Sequence, residues 1–122
     1  MENRRVVITG LGVVSPVGNT IRDFWQNLCA GKSGVTKINS FDTSPFSAKI
    51  GAFVKGFDPA QYISAKEIKR MDKFVQYAVA CSKTAVQDAG LDLSREDPNR
   101  IGTIIGSGVG GLYVIEEQHK IL

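Results

Sequence analysis

The chain has 122 residues, 43% of them hydrophobic and 22% charged, the balance of an ordinary soluble globular protein rather than of a disordered or bilayer-spanning one. Its 15 Lys and Arg against 12 Asp and Glu leave a net charge of +3, too small an excess to imply a nucleic-acid partner unless the cations share one face. For 13.2 kDa, area scaling gives a folded surface of roughly 6,400 Å², which allows one modest core and not two independent domains.

From the N-terminus, Met1-Glu2-Asn3-Arg4-Arg5 is charged, and no signal-peptide core or cleavage site follows it. The expected address is therefore the cytoplasm. The β-branched run Val6-Val7-Ile8-Thr9 predicts a buried strand, closed by Gly10 and Gly12. Gly10, Gly12, Pro16 and Gly18 interrupt the uncharged stretch to Ile21, so it is too short and too broken to span a membrane. Pro16 and Gly18-Asn19 predict a loop. Thr20 then caps a helix to about Ala30, with Asp23 in capping-box position, Phe24, Trp25 and Leu28 on its apolar stripe, and Gly31 as its stop.

Residues 32–58 are turn-rich, with one strand of a hairpin-like insertion within 47–54. Residues 59–62 predict a single helical turn, and Ser64 caps a short helix through Arg70. Asp72 opens the strongest element, a helix from about Lys73 to Ala89. Its apolar residues cover much of the circumference, which predicts burial, and Gly90 ends it. Asp97-Pro98-Asn99 turns the chain into a second buried strand over 101–107, and Gly108, Gly110 and Gly111 open a last helix near Leu112. That helix meets Ile121-Leu122 with no cap, which reads as a cut. Buried strands joined by crossover helices predict an α/β architecture with a mainly parallel sheet, of which this chain holds part.

Two glycine motifs imitate nucleotide sites. Gly106, Gly108 and Gly111 satisfy G-x-G-x-x-G between a strand and a helix, where backbone amides could cradle pyrophosphate. Close backbone packing asks for the same glycines, and the acidic residue expected about 20 positions on falls beyond Leu122. The front run Thr9-Gly10-Leu11-Gly12 follows a strand too, but Pro16 to Asn19 delay the helix and Ser15 replaces the third glycine. Cys29 and Cys81 form no CxxC pair and flank no His, so they read as small buried hydrophobes, with no disulfide framework or metal site expected. His119 reads as an exposed helix residue.

The runs RVVITGLGVVSPVGN over 5–19, FDTS over 41–44, KRMDKF over 69–74 and GSGVGGL over 106–112 together resemble the β-ketoacyl-acyl-carrier-protein synthases. They occur in the family's order, and the resemblance covers essentially the whole chain. It is greatest to the type II elongating enzymes of bacterial fatty-acid synthesis, and Val109 favours these over type I relatives, which tend to have Gly there.

The resemblance implies a thiolase-like fold of α-β-α-β-α layers, with this chain forming part of its N-terminal half, usually as a homodimer. It implies decarboxylative Claisen condensation with acyl carrier protein as partner and no cofactor, nucleic acid or membrane. The family's nucleophilic Cys lies a few tens of residues past the Gly-rich segment and its two His later still. Neither Cys29, Cys81 nor His119 matches them, so no catalytic residue is expected in these 122 residues, and the piece alone is expected to be inactive.

Two supporting sites carry over. Val109, with Gly108 beside it, matches a position that lines the acyl pocket and gates the chain; a β-branched side chain is stiff at χ1 and can act as a wall. Lys66, Lys69 and Arg70 share a helical face by spacing and match basic positions that contact the acidic carrier protein. A solvated charged face and a plain core valine are the alternatives. Other readings of the whole are a non-catalytic binding or dimerising module, a polyketide ketosynthase and, least favoured, a nucleotide-binding oxidoreductase.

Overall fold

The computed structural model describes residues 4–122, and Met1, Glu2 and Asn3 of the charged start lie outside them. In chain order the elements are α1 (Ile21–Cys29), β1 (Val35–Lys37), β2 (Ile50–Ala52), α2 (Ala65–Ile68), α3 (Lys73–Asp88) and α4 (Leu112–His119), with 3-10 turns at Pro59–Gln61 and Pro98–Arg100. They fall into two compact units. One is Val13–Asp58; the other joins the segment ending at Gly12 with Pro59–Leu122.

In the Val13–Asp58 unit, the predicted loop is closed by hydrogen bonds between the Ser15 and Gly18 backbones at 3.0 and 3.3 Å, and the Ser15 hydroxyl donates to the Gly18 carbonyl at 2.9 Å. Helix α1 begins where the sequence predicts: extended Thr20 accepts the Asp23 amide on its hydroxyl at 3.1 Å. Past its other end, Gly31 has φ +65°, the left-handed geometry that favours glycine. Strands β1 and β2 pair antiparallel, with Val35 opposite Ala52 and Lys37 opposite Ile50; β2 falls within the expected 47–54, and its partner β1 lies earlier in the turn-rich stretch.

The second unit is built on α3. Asp72 caps it through the Lys73 amide, and Gly90 at φ +62° follows its end. Residues 10–12 run against the helix backbone. A Cβ on Gly10 would strike the Ala85 carbonyl oxygen and lie 2.6 Å from the Ala89 nitrogen, and one on Gly12 would strike the Cys81 carbonyl oxygen. The Leu11 amide also donates to the Asp88 carboxylate at 2.9 Å. These glycines are therefore packing residues, which accounts for the nucleotide-like look of the front run.

Helix α2 starts with a complete capping box. The Ser64 hydroxyl accepts the Glu67 amide, and it donates to the Glu67 carboxylate at 2.6 Å. The Ser64 hydroxyl and then the Ser64 backbone amide hold the Glu67 carboxyl below its ordinary 4.5. The helix is shorter than predicted, because past Ile68 the 69–71 backbone tightens into i→i−3 hydrogen bonds, Arg70 to Glu67 and Met71 to Ile68.

Expectations about strands, sheet and burial are corrected. The buried strands over 6–9 and 101–107 form no strand ladder, and Val6, Ile8 and Ile104 are 91%, 83% and 99% exposed. The sheet among the described residues is the two-stranded antiparallel one of the hairpin, and no parallel pairing forms among them. A parallel strand is stable only between neighbours and under covering helices, and among the described residues neither segment has a strand beside it. Helix α3 is mostly half-buried, with Ala80 its one buried residue; the accessible surface is 10420 Å² where area scaling gives roughly 6,400 Å². Cys29 is likewise exposed and Cys81 half-buried.

Replacing Gly12 by Ala is expected to destabilise the protein by about 2 kcal/mol or more, since its methyl group meets helix backbone rather than a movable side chain; denaturant unfolding measures this. Ser64→Ala is expected to return the Glu67 carboxyl toward 4.5, read by NMR titration. Because the folded value is the lower one, the carboxylate's contribution is present above 4.5 and lost as pH falls through the folded value. The variant should flatten that acid-side loss.

Candidate functional site

Both families of candidate residues lie in the unit built on α3. Lys66 is in α2, Lys69 is its C-cap and Arg70 follows. All three are exposed. Among the described residues none of them makes an ion pair. Lys69 and Arg70 line one wall of a cleft of about 510 Å³, together with Lys73 and Gln76 of α3 and Tyr113 and Glu117 of α4. Lys66 lies outside that lining.

The charge balance of the cleft is set by which groups already have partners. Glu117 accepts from Lys120 at 2.9 Å, and Glu116 lies 3.3 Å from the same ammonium. These two carboxylates raise the Lys120 pKa. Asp72 is engaged as the α3 cap. The acids are thus occupied locally while Lys69, Arg70 and Lys73 form no ion pair among the described residues, so the cleft presents net positive charge to an approaching acidic group.

The Gly-rich segment leads into α4. Gly111 has φ +79° and takes the N-cap place, and a Cβ on Gly110 would fall 2.8 Å from the Phe74 ring. Gly106 and Gly108 meet nothing within 4 Å. Close packing therefore accounts for Gly110 alone, and backbone conformation for Gly111. Val109 is 76% exposed. Neither Val109 nor Gly108 lines the cleft, nor the apolar groove of about 220 Å³ in which Ile105, Gly106 and Ser107 face Phe74, Val75, Ala78 and Val79 of α3. The structure brings Lys69 and Arg70 together with α4 and leaves Val109 and Gly108 apart from them.

Gln76 and Tyr113 escaped the sequence reading. Gln76 donates its side-chain amide to the Met71 carbonyl at 2.9 Å and to the Ile68 carbonyl at 3.4 Å. Only the tight α2–α3 joint makes that reach possible, and no spacing announces it. His119 is exposed at the end of α4. No group of three or more His, Cys, Asp or Glu able to hold a metal occurs among the described residues. No helix among them is long and apolar enough to cross a membrane.

Comparison with known proteins places this geometry. The family model for the β-ketoacyl synthase N-terminal domain matches residues 3–121. A protein of Vibrio cholerae named 3-oxoacyl-[acyl-carrier-protein] synthase 2 is 49% identical over 100% of this chain and 30% of its own length. The protein of that name in Coxiella burnetii is 50% identical over the same shares. This chain thus spans about 30% of the length of these relatives.

Among solved structures, a type II polyketide ketosynthase in complex with its acyl-carrier protein and bound to a hexaketide superposes with a TM-score of 0.75. It shares 27% identity over 97% of this chain and 31% of that one. The ishigamide ketosynthase/chain length factor gives 0.66 at 40% identity over 73% of this chain and 22% of that one. The architecture is therefore part of an α/β, thiolase-like ketosynthase fold, and the two helix-bound glycines, the capped α2 and the Gly-rich entry to α4 are its local parts. By the match of its N-terminal domain from residue 3 to residue 121, the chain belongs to the β-ketoacyl synthase family.

Proposed function

We propose that this chain is the N-terminal part of an elongating β-ketoacyl-acyl-carrier-protein synthase of fatty-acid synthesis. What carries the reading is the match at 49% and 50% identity, over 100% of this chain, to proteins named for that activity. The identities to the two solved ketosynthases are lower, 40% over 73% of the chain and 27% over 97% of it, which favours the fatty-acid over the polyketide assignment. The homodimer that the family resemblance implies and the cytoplasmic location expected from the N-terminal residues belong to the same proposal.

In this reading the nucleophilic Cys and the two His lie in the part of the relatives that the chain does not span. The Cys thiolate takes the acyl group from the carrier thioester and releases the carrier thiol. The malonyl thioester then loses carbon dioxide, and its α-carbanion attacks the acyl-Cys carbonyl. Expulsion of the Cys thiolate leaves a lengthened 3-oxoacyl carrier thioester, with the oxyanion steadied by the His pair.

The present residues serve recognition. Lys66, Lys69 and Arg70 form the docking face for the acidic carrier protein, a role supported by their exposure and lack of ion pairs and by the steering that unpaired like charges provide. Val109, flanked by Gly108, is the gating wall of the acyl pocket. Glycine on both sides of a stiff side chain lets the backbone shift it as a unit.

Charge reversal of Lys66, Lys69 and Arg70 to Glu in the full-length protein is expected to raise KM for acyl carrier protein roughly tenfold at low salt and to flatten its salt dependence. An unchanged KM under those conditions removes the docking role. Val109→Phe is expected to block transfer of long acyl chains while short ones still react; long-chain transfer at the wild-type rate would make Val109 a packing residue only. A full-length protein that condenses no acyl donor, yet still binds carrier protein, would return the non-catalytic module in place of the enzyme.

A further inference from the structure

We infer that Gln76 is the positioning residue of the carrier-protein docking face, holding the end of α2 in the orientation that presents Lys69 and Arg70. The inference rests on the docking role proposed for Lys66, Lys69 and Arg70, and adds a residue that acts through the backbone on either side of Lys69 and Arg70. Helix α2 has four residues, Ala65–Ile68. A helix of that length has too few internal hydrogen bonds to hold its own direction, so its ends must be held from outside.

Its start is held by the Ser64–Glu67 box. Its far end is held by Gln76, whose Nε2 donates at 2.9 Å to the Met71 carbonyl and at 3.4 Å to the Ile68 carbonyl. Those two carbonyls bracket Lys69 and Arg70. The Ile68 carbonyl also takes the Met71 amide at 3.3 Å, and the Met71 carbonyl belongs to the joint between the helices, so Gln76 bonds the helix end and the joint together. Two carbonyls can be served only by the NH₂ of the amide, which fixes its orientation. Gln76 is half-buried, stands on the longest helix of the unit, Lys73–Asp88, and lines the same cleft as Lys69 and Arg70. The basic pair is thus tied to a rigid support by one side chain. At the other end of the unit's joint, Lys83 donates to the Tyr62 carbonyl at 2.6 Å, which anchors the turn before α2 but not the cations themselves.

The test uses the full-length protein, with Gln76→Met, which keeps length and loses both donors, and Gln76→Glu, which keeps shape and replaces the NH₂ by an acceptor. KM for the carrier-borne acyl donor is expected to rise about fivefold in each, the factor that corresponds to one net hydrogen bond. kcat and the rate with a pantetheine thioester that has no carrier protein should stay within about twofold, a split that a loss of folding does not produce. Adding Gln76→Met to the Lys66, Lys69 and Arg70 reversal should raise KM no further, because both changes act on one face. If the reversal raises KM and neither Gln76 variant does, the positioning role is overturned and docking stands. If the reversal itself leaves KM unchanged, the docking role fails and this inference with it. Full additivity, or an equal loss with the pantetheine substrate, makes Gln76 a general stabiliser of the fold and also overturns the inference.

Discussion

The constraint on which the larger unit depends is the close approach of the chain at Gly10 and Gly12 to the backbone of α3. Side chains at these positions would occupy the places of the Ala85 and Cys81 carbonyl oxygens. With hydrogen there instead, the segment lies flat along the helix and the Leu11 amide reaches Asp88. The helix is then a common support. Gln76 ties the end of α2 to it, Lys83 ties the preceding turn through the Tyr62 carbonyl, and the Phe74 ring fills the space left by Gly110. Four different contacts converge on sixteen residues of helix, so a change in its packing reaches the basic pair and the Gly-rich entry to α4 together.

Helices and sheet segments behave differently in this chain for one reason. A helix satisfies its own backbone hydrogen bonds, and needs outside help only at its ends. Here Thr20, Ser64 and Asp72 supply side-chain caps for α1, α2 and α3, and left-handed Gly111 takes the N-cap place of α4. A strand satisfies nothing alone. Segments 6–9 and 101–107 are rich in β-branched residues, yet Val6, Ile8, Ile104 and Ile105 remain exposed. The hairpin of β1 and β2 forms because both partners lie within one turn-rich stretch.

The net charge of +3 says little about binding, and the local distribution says more. Carboxylates near the cleft are spent on structure, Asp72 on the α3 cap and Glu117 on Lys120. Glu67, next to the cations in sequence, is tied to Ser64 and held as a carboxylate to lower pH than usual. Among the described residues, Lys66, Lys69 and Arg70 form no ion pair. A surface can therefore be attractive to an acidic partner while the whole chain is nearly balanced.

The residues by themselves determined the helix starts and stops at Thr20, Gly31, Ser64, Asp72 and Gly90, because capping and left-handed turns are settled within a few neighbours. The family runs were legible for the same reason of local order. Tertiary structure alone decided the rest. It showed that Gly10 and Gly12 serve helix packing and not a nucleotide, that Gly110 and Gly111 have different duties within one motif, and that Val109 stands apart from the cleft edged by Lys69 and Arg70. It also revealed Gln76, whose role exists only because the α2–α3 joint folds Met71 back toward it. A burial pattern predicts that a strand wants neighbours, but pairing and close approach join residues far apart in sequence, and no local pattern encodes which of them will meet.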